Sequence, residues 1–335
     1  MLKKTLLRSS LSAIEKSLVC GLALACLTAT PRLLVAEEST NKLVHVVTRQ
    51  EGETTRFFVE NLEPTEVTAT FDLKLTNLKS SAGSSYTATY PPNQVTEAFR
   101  VDPINPDKQW AYNYINHFTI GSTSAVHDDS VVYFLPYESG TECKVTQGYN
   151  GSYSHSGADQ YAIDWKMPSG TPIYAARRGM VVKVKVDSST GGPDRKFENQ
   201  ANYILIRHSD GTVANYAHLS KGGSKVNPGD IVEPGDLIGY SGNTGFTSGP
   251  HLHFSVFKTK NGKQRQSIPV KFQSTSAQPI TLVEGKTYKS VLPAKAVAKA
   301  HVTLPAVSVN PLPATKPVAP AAPSEPAAKN RDVKS

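Results

Sequence analysis

The chain has 335 residues, a formal net charge of +8 and an apolar content of 39%. This length predicts about two domains, and the apolar content is typical of ordinary globular cores. The positive charges form no continuous block, which argues against a nucleic-acid-binding protein.

The amino-terminal segment has the pattern of an export signal. Basic residues precede an apolar run from Leu18 to Leu27, and a short segment ending at Ala36 precedes Glu37. This pattern predicts a signal peptide at residues 1–36 and an exported protein, either periplasmic or extracellular. The run is shorter than a membrane span, so no transmembrane helix is expected in the mature chain. An alternative interpretation makes Cys26 a lipid-attachment site.

Removal of the signal peptide changes the charge and the cysteine content. Residues 1–36 contain five basic residues against Glu15 alone, which leaves a net charge of about +4. This moderate charge suits an anionic surface such as a cell wall. Cys143 remains as the single cysteine, so no internal disulfide is expected.

Residues 37–136 alternate short apolar runs with polar turns, as in Arg56–Asn61 and Glu66–Leu75. Many short strands at this spacing predict an N-terminal β-sandwich of the immunoglobulin-like type. Three histidines of this region have no other histidine at ligand spacing: His45, His117 and His127. They are interpreted as structural or solvent-facing, because a metal site needs several converging ligands.

After a short connector, residues 142–288 again read as strands, and examples are Tyr203–Arg207 and His251–Phe257. The Pro-Gly-Asp sequence occurs at 228–230 and again at 234–236, and glycine there suits tight reversals of the chain. The prediction is an all-β protein with a second domain built on an antiparallel sheet. Residues 290–335 are rich in proline and alanine, which predicts a disordered tail.

The strand that begins at Gly249-Pro250-His251-Leu252-His253-Phe254 carries the most informative pattern. Side chains alternate along a strand, so His251 and His253 point to the same face. One imidazole is then placed to bind a metal while its neighbour handles protons. A structural alternative is an apolar strand with two polar positions that face water.

The second domain also supplies the other groups that a catalytic zinc site requires. Such a site needs three protein ligands and an open position for water, with a histidine nearby to take a proton. The residues of the required types are His155, Asp164, His218, His251 and His253.

Three segments in this order resemble the lysostaphin/LytM-type zinc metalloendopeptidases, which cut peptidoglycan peptides. They are residues 161–176, residues 216–219 and residues 241–254, so the resemblance covers about Gln147 to Lys258. The predicted sandwich and the tail lie outside it. It implies a LytM-like peptidase domain with one Zn²⁺ ion that hydrolyses peptide bonds of peptidoglycan stems or cross-bridges.

Carried onto this chain, the resemblance makes Asp164 and His253 zinc ligands and makes His218 and His251 the catalytic histidines. The remaining ligand departs from the family pattern, because Gln160 stands where a histidine is expected.

Two readings of the remaining ligand pair stay open: His155 with Asp164, or His155 with Asp159. The first is preferred, because Asp164 lies in a predicted strand that fixes its direction. A third reading takes Gln160 as the mark of a lost site. The chain is then a catalytically inactive LytM-like wall-binding or hydrolase-activator protein.

Three further residues of the second domain could have either a functional or a structural role. His208 is expected to support the site from a strand end rather than to bind metal. Tyr216 either helps to stabilise the oxyanion or packs in the core. Cys143, a lone thiol, is expected to be inert.

Overall fold

The computed structural model describes residues 43–293. The predicted signal peptide and nearly all of the predicted tail lie outside these residues. Strands dominate the described part, and its helices are two short 3-10 turns, Gly157–Asp159 and Arg195–Gln200. Neither turn approaches the length of a membrane-spanning helix. The predicted all-β fold class is confirmed.

The first part of the chain forms two antiparallel sheets. Their strands are Val44–Glu51 (β1), Thr54–Asn61 (β2), Val67–Thr76 (β3), Leu78–Ser80 (β4), Ser85–Tyr90 (β5), Gln94–Pro103 (β6) and Ala111–Ile120 (β7). One sheet has the order β1-β2-β6-β4 and the other has the order β5-β3-β7.

The two sheets pack face to face through aromatic side chains. The Phe57 ring of β2 stacks on Phe99 of β6 at 4.5 Å and meets the edge of Tyr112 of β7 at 5.1 Å. Phe71 of β3 contacts Phe99 at 5.2 Å. Because these rings come from both sheets, the first part is a β-sandwich. Its immunoglobulin-like connectivity stays a prediction.

The second part of the chain contains the remaining strands. They are Val132–Phe134 (β8), Glu142–Gln147 (β9), Ile163–Lys166 (β10), Pro172–Tyr174 (β11), Gly179–Lys185 (β12), Gly191–Gly192 (β13), Tyr203–Arg207 (β14), Val213–Ala217 (β15), Leu219–Ser224 (β16), Ile231–Val232 (β17), Leu237–Ser241 (β18), Gly245–Phe246 (β19), His251–Asn261 (β20), Gln264–Ile268 (β21), Lys271–Gln273 (β22) and Thr287–Lys289 (β23).

A large sheet organises this second part, with the order β17-β12-β14-β15-β20-β10-β9-β23 and with β21 paired to β20. The pairings along it are antiparallel, as predicted. Its core face carries Trp165, Tyr216 and Phe254, all buried. A smaller sheet of β11, β18 and β16 lies beside it. β20 therefore sits in the middle of the sheet, where its direction is fixed by neighbours on both sides.

The segment before the large sheet belongs to the same core. Strand β8 pairs in parallel with β22, and Tyr133, Leu135 and Tyr137 are fully buried there. The sequence-based division at residues 136–142 thus separates residues that share one core with the later strands. The division into domains stays a prediction.

The sandwich contacts the second part at the turn between β20 and β21. The Gly262 amide donates to the Thr70 hydroxyl at 2.9 Å, and the Thr119 hydroxyl donates to the Gly262 carbonyl at 2.9 Å. A side chain at Gly262 would collide with backbone atoms of the sandwich. Close approach of the two parts therefore requires glycine at this position.

Ion pairs add to this contact. Lys183 of β12 lies 3.1 Å from the buried carboxylate of Glu63, and Arg207 of β14 lies 2.8 Å from Glu66. Lys263 pairs with Asp72. The second part of the chain is thus attached to the sandwich by both backbone and charged groups, and Lys263 lies in the turn of the hairpin itself.

One histidine outside the predicted site residues, His208, is buried in the second part of the chain. His208 is 1% exposed, its Nδ1 donates to the Arg178 carbonyl at 2.8 Å, and its Nε2 has no hydrogen-bond partner among the described residues. Burial, together with the charge of nearby Arg177, lowers the pKa of His208 to about 4. The folded protein therefore keeps this imidazole neutral.

We expect His208 to make stability pH-dependent. Between its ordinary pKa and about pH 4, the unfolded chain binds a proton here that the folded chain does not. The free energy of unfolding should therefore fall as the pH decreases through this window, by up to about 3 kcal/mol. Chemical denaturation at several pH values, compared between the wild type and His208→Asn, measures the effect.

The asparagine amide still donates to the Arg178 carbonyl but does not titrate. The stability difference between the two proteins should therefore shrink or change sign towards pH 4. Parallel stability curves over the whole range would show that His208 is not responsible. His45→Gln, a change in strand β1 of the sandwich, serves as the control for general effects of histidine loss.

Candidate metal centre and groove

The site is built on the pairing of β10 with β20. In this antiparallel register Asp164 lies opposite His253, and Lys166 lies opposite His251. Residues directly opposite each other project to the same face of a sheet. Alternation sends Ile163 and Trp165 into the core, so Asp164 and both histidines share the other face.

His155 reaches the same face from the loop between β9 and β10. Its Nδ1 donates to the Gly148 carbonyl at 2.8 Å, which leaves Nε2 without a proton. Gln147, at the end of β9, holds this loop: its carbonyl oxygen accepts from the backbone amides of Tyr153 and Ser154 at 3.0 and 3.1 Å. Its amide nitrogen donates to Asp164 at 3.1 Å.

The side chains of His155, Asp164 and His253 converge at one point. Asp164 Oδ1 lies 3.2 Å from His155 Nε2 and 2.9 Å from His253 Nδ1. The three ligand atoms all lie within 4.8 Å of one another, and all three residues are buried. No other group of three such residues within 43–293 meets this criterion.

This donor set fits a divalent metal ion. His155 Nε2 is buried and has no hydrogen-bond partner in the described chain. It is an electron-pair donor directed at a carboxylate, and a cation between the two would satisfy both. Two imidazoles and one carboxylate with a side open to solvent is the ligand set of a catalytic zinc site.

Electrostatics favour the charged carboxylate. Burial alone would raise the pKa of Asp164, but its interactions with His155 and His253 hold that pKa well below the ordinary value. Burial would likewise lower the pKa of His253, and the neighbouring Asp164 instead raises it. Asp164 is therefore ionised throughout the neutral range, as a metal ligand must be.

Asp159, the alternative ligand, lies against the other nitrogen of the His253 ring. Its Oδ1 is 4.0 Å from His253 Nε2, and its two oxygens lie 3.1 and 3.2 Å from Arg265 Nη2. The convergent group thus contains Asp164 and not Asp159. Asp159 is placed to orient the imidazole from behind, as carboxylates behind metal-bound histidines do.

His218 faces the group from the junction of β15 and β16. Its backbone has a positive φ of 64°, an uncommon conformation for a residue other than glycine. Its Nδ1 donates to the Thr244 carbonyl at 2.6 Å, so Nε2 is left as an acceptor. Burial and the nearby imidazoles of His251 and His253 lower the pKa of His218 to about 3. This histidine is neutral at neutral pH.

His251 lies beside His218, with ring centroids 4.5 Å apart. Its Nδ1 donates to the Gly249 carbonyl at 2.8 Å, and its Nε2 is 3.8 Å from Asp164 Oδ1. Two imidazoles whose Nδ1 atoms are hydrogen-bonded to backbone carbonyls thus lie next to the cluster of ligand atoms. The structure thus brings all five predicted site residues together. The pair of His218 and His251 lies beside the convergent group.

Four of the five residues line a groove of about 330 Å³, and His155 is buried behind it. One wall is an aromatic pair: Tyr153 stacks on Phe246 with ring centroids 5.5 Å apart. The Arg195 guanidinium covers Phe246 at 5.1 Å. The groove lining consists of Thr146, Gln147, Tyr153, Ser154, Asp164, Lys166, His218, Phe246, Thr247, Ser248, Gly249, Pro250, His251 and His253.

Other residues considered in the sequence lie elsewhere. Gln160 donates to the Asn150 side chain at 2.8 Å in an exposed part of the loop. The Tyr216 hydroxyl is buried and accepts from the Ala176 amide at 2.8 Å, which is a packing role. His208 contacts Tyr133 in the core, with ring centroids 5.6 Å apart. Burial raises the pKa of the Cys143 thiol to about 11, which suits an inert cysteine.

Sequence reasoning missed the groups that orient the five side chains. Nothing in the sequence marks Gln147 as a residue of the site, because a single glutamine before a glycine-containing turn is common. The carbonyls of Gly148, Thr244 and Gly249 are backbone atoms, which residue types do not reveal. The ion pair of Arg265 with Asp159 joins positions that are 106 residues apart.

Comparison with known proteins finds matches to the region of the chain that contains the site. Residues 158–267 match the model of Peptidase family M23, so the chain carries a domain of this family. The chain is 37% identical over 99 residues to peptidoglycan DD-endopeptidase ShyA of Vibrio cholerae, which is 30% of this chain and 20% of that protein. It is 34% identical over 118 residues to glycyl-glycine endopeptidase ALE-1 of Staphylococcus capitis, which is 35% of this chain and 30% of that protein.

Among solved structures, the chain is similar to the catalytic domain of the antimicrobial peptidase lysostaphin from Staphylococcus simulans. The identity is 27%, the match covers 38% of this chain and 87% of that chain, and the TM-score is 0.28. The resemblance to lysostaphin/LytM-type endopeptidases is confirmed by the family match. The chain spans less than a third of the length of the two curated relatives.

We expect Asp164→Asn and Asp159→Asn to affect zinc binding by different amounts. Asp164→Asn removes a charged ligand, so stoichiometric zinc binding should be lost. Asp159→Asn removes only the support of His253, which should weaken zinc affinity by about 10-fold to 100-fold. Competition with a chelator of known affinity, on protein stripped of metal, measures both values.

Asp129→Asn is a matched control, because this exposed carboxylate pairs with His127 away from the groove. Its zinc affinity should equal that of the wild type. Zinc binding that survives Asp164→Asn but disappears in Asp159→Asn would reverse the assignment of the two carboxylates.

Proposed function

We propose that this protein is an exported, zinc-dependent endopeptidase that hydrolyses peptide bonds in peptidoglycan stems or cross-bridges. The observation that carries the proposal is the juxtaposition of two groups in one open groove. His155, Asp164 and His253 form the ligand cluster, and the imidazoles of His218 and His251 stand beside it. A binding module has no need for two such proton acceptors next to a metal-ligand set.

The histidine pair is suited to proton transfer. Hydrogen bonds to the carbonyls of Thr244 and Gly249 fix both Nδ1 protons, so each Nε2 is an acceptor. One imidazole takes a proton from the attacking water and passes it on to the leaving amine. The other takes up a proton from solvent at Nε2, donates it in a hydrogen bond to the oxygen of the attacked carbonyl as negative charge develops there, and keeps that proton when the carbonyl re-forms.

The ligand cluster would hold one zinc ion, which supplies a Lewis acid for water activation and carbonyl polarisation. His155 and His253 bind as neutral imidazoles, and Asp164 binds as the carboxylate. Gln147 and Asp159 restrain Asp164 and His253 in turn. Ligands restrained in this way keep their direction when substrate displaces water from the groove.

The groove shape suits an extended peptide. It is open to solvent along the surface, and its walls combine hydroxyl groups with the aromatic pair of Tyr153 and Phe246. The two curated relatives named above carry the names of peptidoglycan and glycyl-glycine endopeptidases, and this supports peptidoglycan as the substrate. The export pattern of residues 1–36 supports action at the cell wall.

We expect zinc-loaded protein to release new peptide termini from purified peptidoglycan. His218→Gln and His251→Gln should each reduce the cleavage rate by about 100-fold or more, the usual contribution of general acid-base catalysis. Both variants should still bind about one equivalent of zinc, because neither residue belongs to the ligand cluster. Mass spectrometry of the released fragments and metal analysis of the same samples measure the two quantities.

His45→Gln, in the sandwich, is the matched control and should cleave like the wild type. If zinc-loaded wild type binds peptidoglycan without producing new termini, the protein is instead a non-catalytic wall-binding or activator protein. If the histidine variants cleave at the wild-type rate, the assigned proton transfers are wrong.

A further inference from the structure

Lys166 is a cation in the groove that the metal cluster and the histidine pair do not use. It lies two residues after Asp164 on β10, so both side chains project from the same face of the strand. It is exposed and contributes to the groove lining. It is also the single lysine or arginine among the described lining residues.

The Lys166 ammonium group has no partner in the part of the chain that the structure describes. Among residues 43–293 it makes no hydrogen bond or ion pair. The acidic residue nearest to it along the strand, Asp164, is engaged with His155 and His253. By contrast, Arg195 at the aromatic wall lies 3.7 Å from Glu198 and stacks on Phe246. Lys166 therefore offers a free positive charge to whatever enters the groove.

The register places this charge next to the reacting groups. Lys166 is directly opposite His251 across the β10–β20 pair. Opposite residues of an antiparallel pair have Cβ atoms about 5 Å apart. A group bound by Lys166 thus lies within one residue of the peptide bond that His251 serves. Apart from Asp164 and the histidines, the rest of the groove lining is uncharged, with hydroxyl, amide and aromatic groups.

We propose that Lys166 binds a substrate carboxylate on a residue next to the cleaved bond. This inference rests on the proposed function and narrows it. The preferred substrates are cross-linked peptides whose neighbouring residue carries a free carboxylate. Glycine bridges have no side-chain carboxylate and lack this contact. A lysine ammonium near a carboxylate forms a charge-assisted hydrogen bond that fixes the position of the peptide.

The test uses the full chain and a pair of matched synthetic peptides. In one peptide the carboxylate next to the cleaved amide is free, and in the other it is a primary amide. A pentaglycine peptide with both ends blocked is the third probe. Binding is measured by calorimetry on metal-free protein, and cleavage is measured separately on zinc-loaded protein.

The wild type should bind the free acid about tenfold more tightly than the amide, the size of one charge-assisted hydrogen bond. The same preference should appear in KM rather than in kcat. In Lys166→Met the two peptides should bind with about equal affinity. Lys166→Arg should keep most of the preference for the free acid. Lys271→Met, an exposed lysine of β22 outside the groove lining, should behave like the wild type.

The outcomes separate the two proposals. Equal binding and equal KM for both peptides would overturn the role of Lys166. Cleavage of the same peptides would still support the proposed endopeptidase activity. A preference that persists in Lys166→Met would also overturn it. A tenfold preference in binding without cleavage of any probe would uphold Lys166 as a carboxylate site and overturn the proposed function.

Discussion

The antiparallel register of β10 and β20 is the constraint on which the site depends. It sets Asp164 opposite His253 and Lys166 opposite His251, and so it decides which side chains share the groove face. If β10 shifted by one residue against β20, Asp164 and Lys166 would turn towards the core, and Ile163 and Trp165 would come to the groove face. Because Trp165 is fully buried, the cost of exposing its apolar area opposes this shift. The same packing that stabilises the sheet therefore also positions the site.

The two strands supply only part of the site, and loops supply the rest. His155 and His218 arrive from the β9–β10 loop and from the β15–β16 junction, and each is fixed by a hydrogen bond to a backbone carbonyl. Carbonyls accept and never donate, so these bonds decide which ring nitrogen keeps its proton. The loops thus set the chemistry of the imidazoles as well as their position. The positive φ of His218 is the conformational cost of this arrangement.

Many strands of the second part of the chain were predictable from the sequence, because the alternation of apolar and polar residues that marks a strand is a local pattern. The strand expected at Tyr203–Arg207 has the same bounds in the structure, and the strand expected from His251 does begin there. Period-two alternation also explains why the shared direction of His251 and His253 was predictable. β20 nevertheless continues to Asn261, beyond the predicted end at Phe257. Its last residues pair with β21 and lead into a turn held by the sandwich, and local alternation carries no information about such a distant partner.

The choice between the two carboxylates shows where local reasoning ends. Asp159 and Asp164 are five positions apart, and either one follows His155 at a plausible distance in the sequence. What separates them is Arg265, which comes from β21 and pairs with Asp159 behind His253. This contact depends on the hairpin β20–β21, and the sequence pattern did not predict that this hairpin packs against the loop of His155. Placement of the carboxylates is therefore a property of the tertiary fold.

The hairpin also explains how the sandwich relates to the groove. From His253 to Asn261 the strand rises by roughly 25 Å, at about 3.4 Å per residue. The histidines lie at one end, and the contacts of Gly262 with Thr70 and Thr119 lie at the other. All groove-lining residues among those described fall between Thr146 and His253, so no described residue of the sandwich covers the groove. The contacts instead restrain the distal end of the strand that carries both site histidines, which makes the sandwich a support for the site and leaves the groove accessible to an extended substrate.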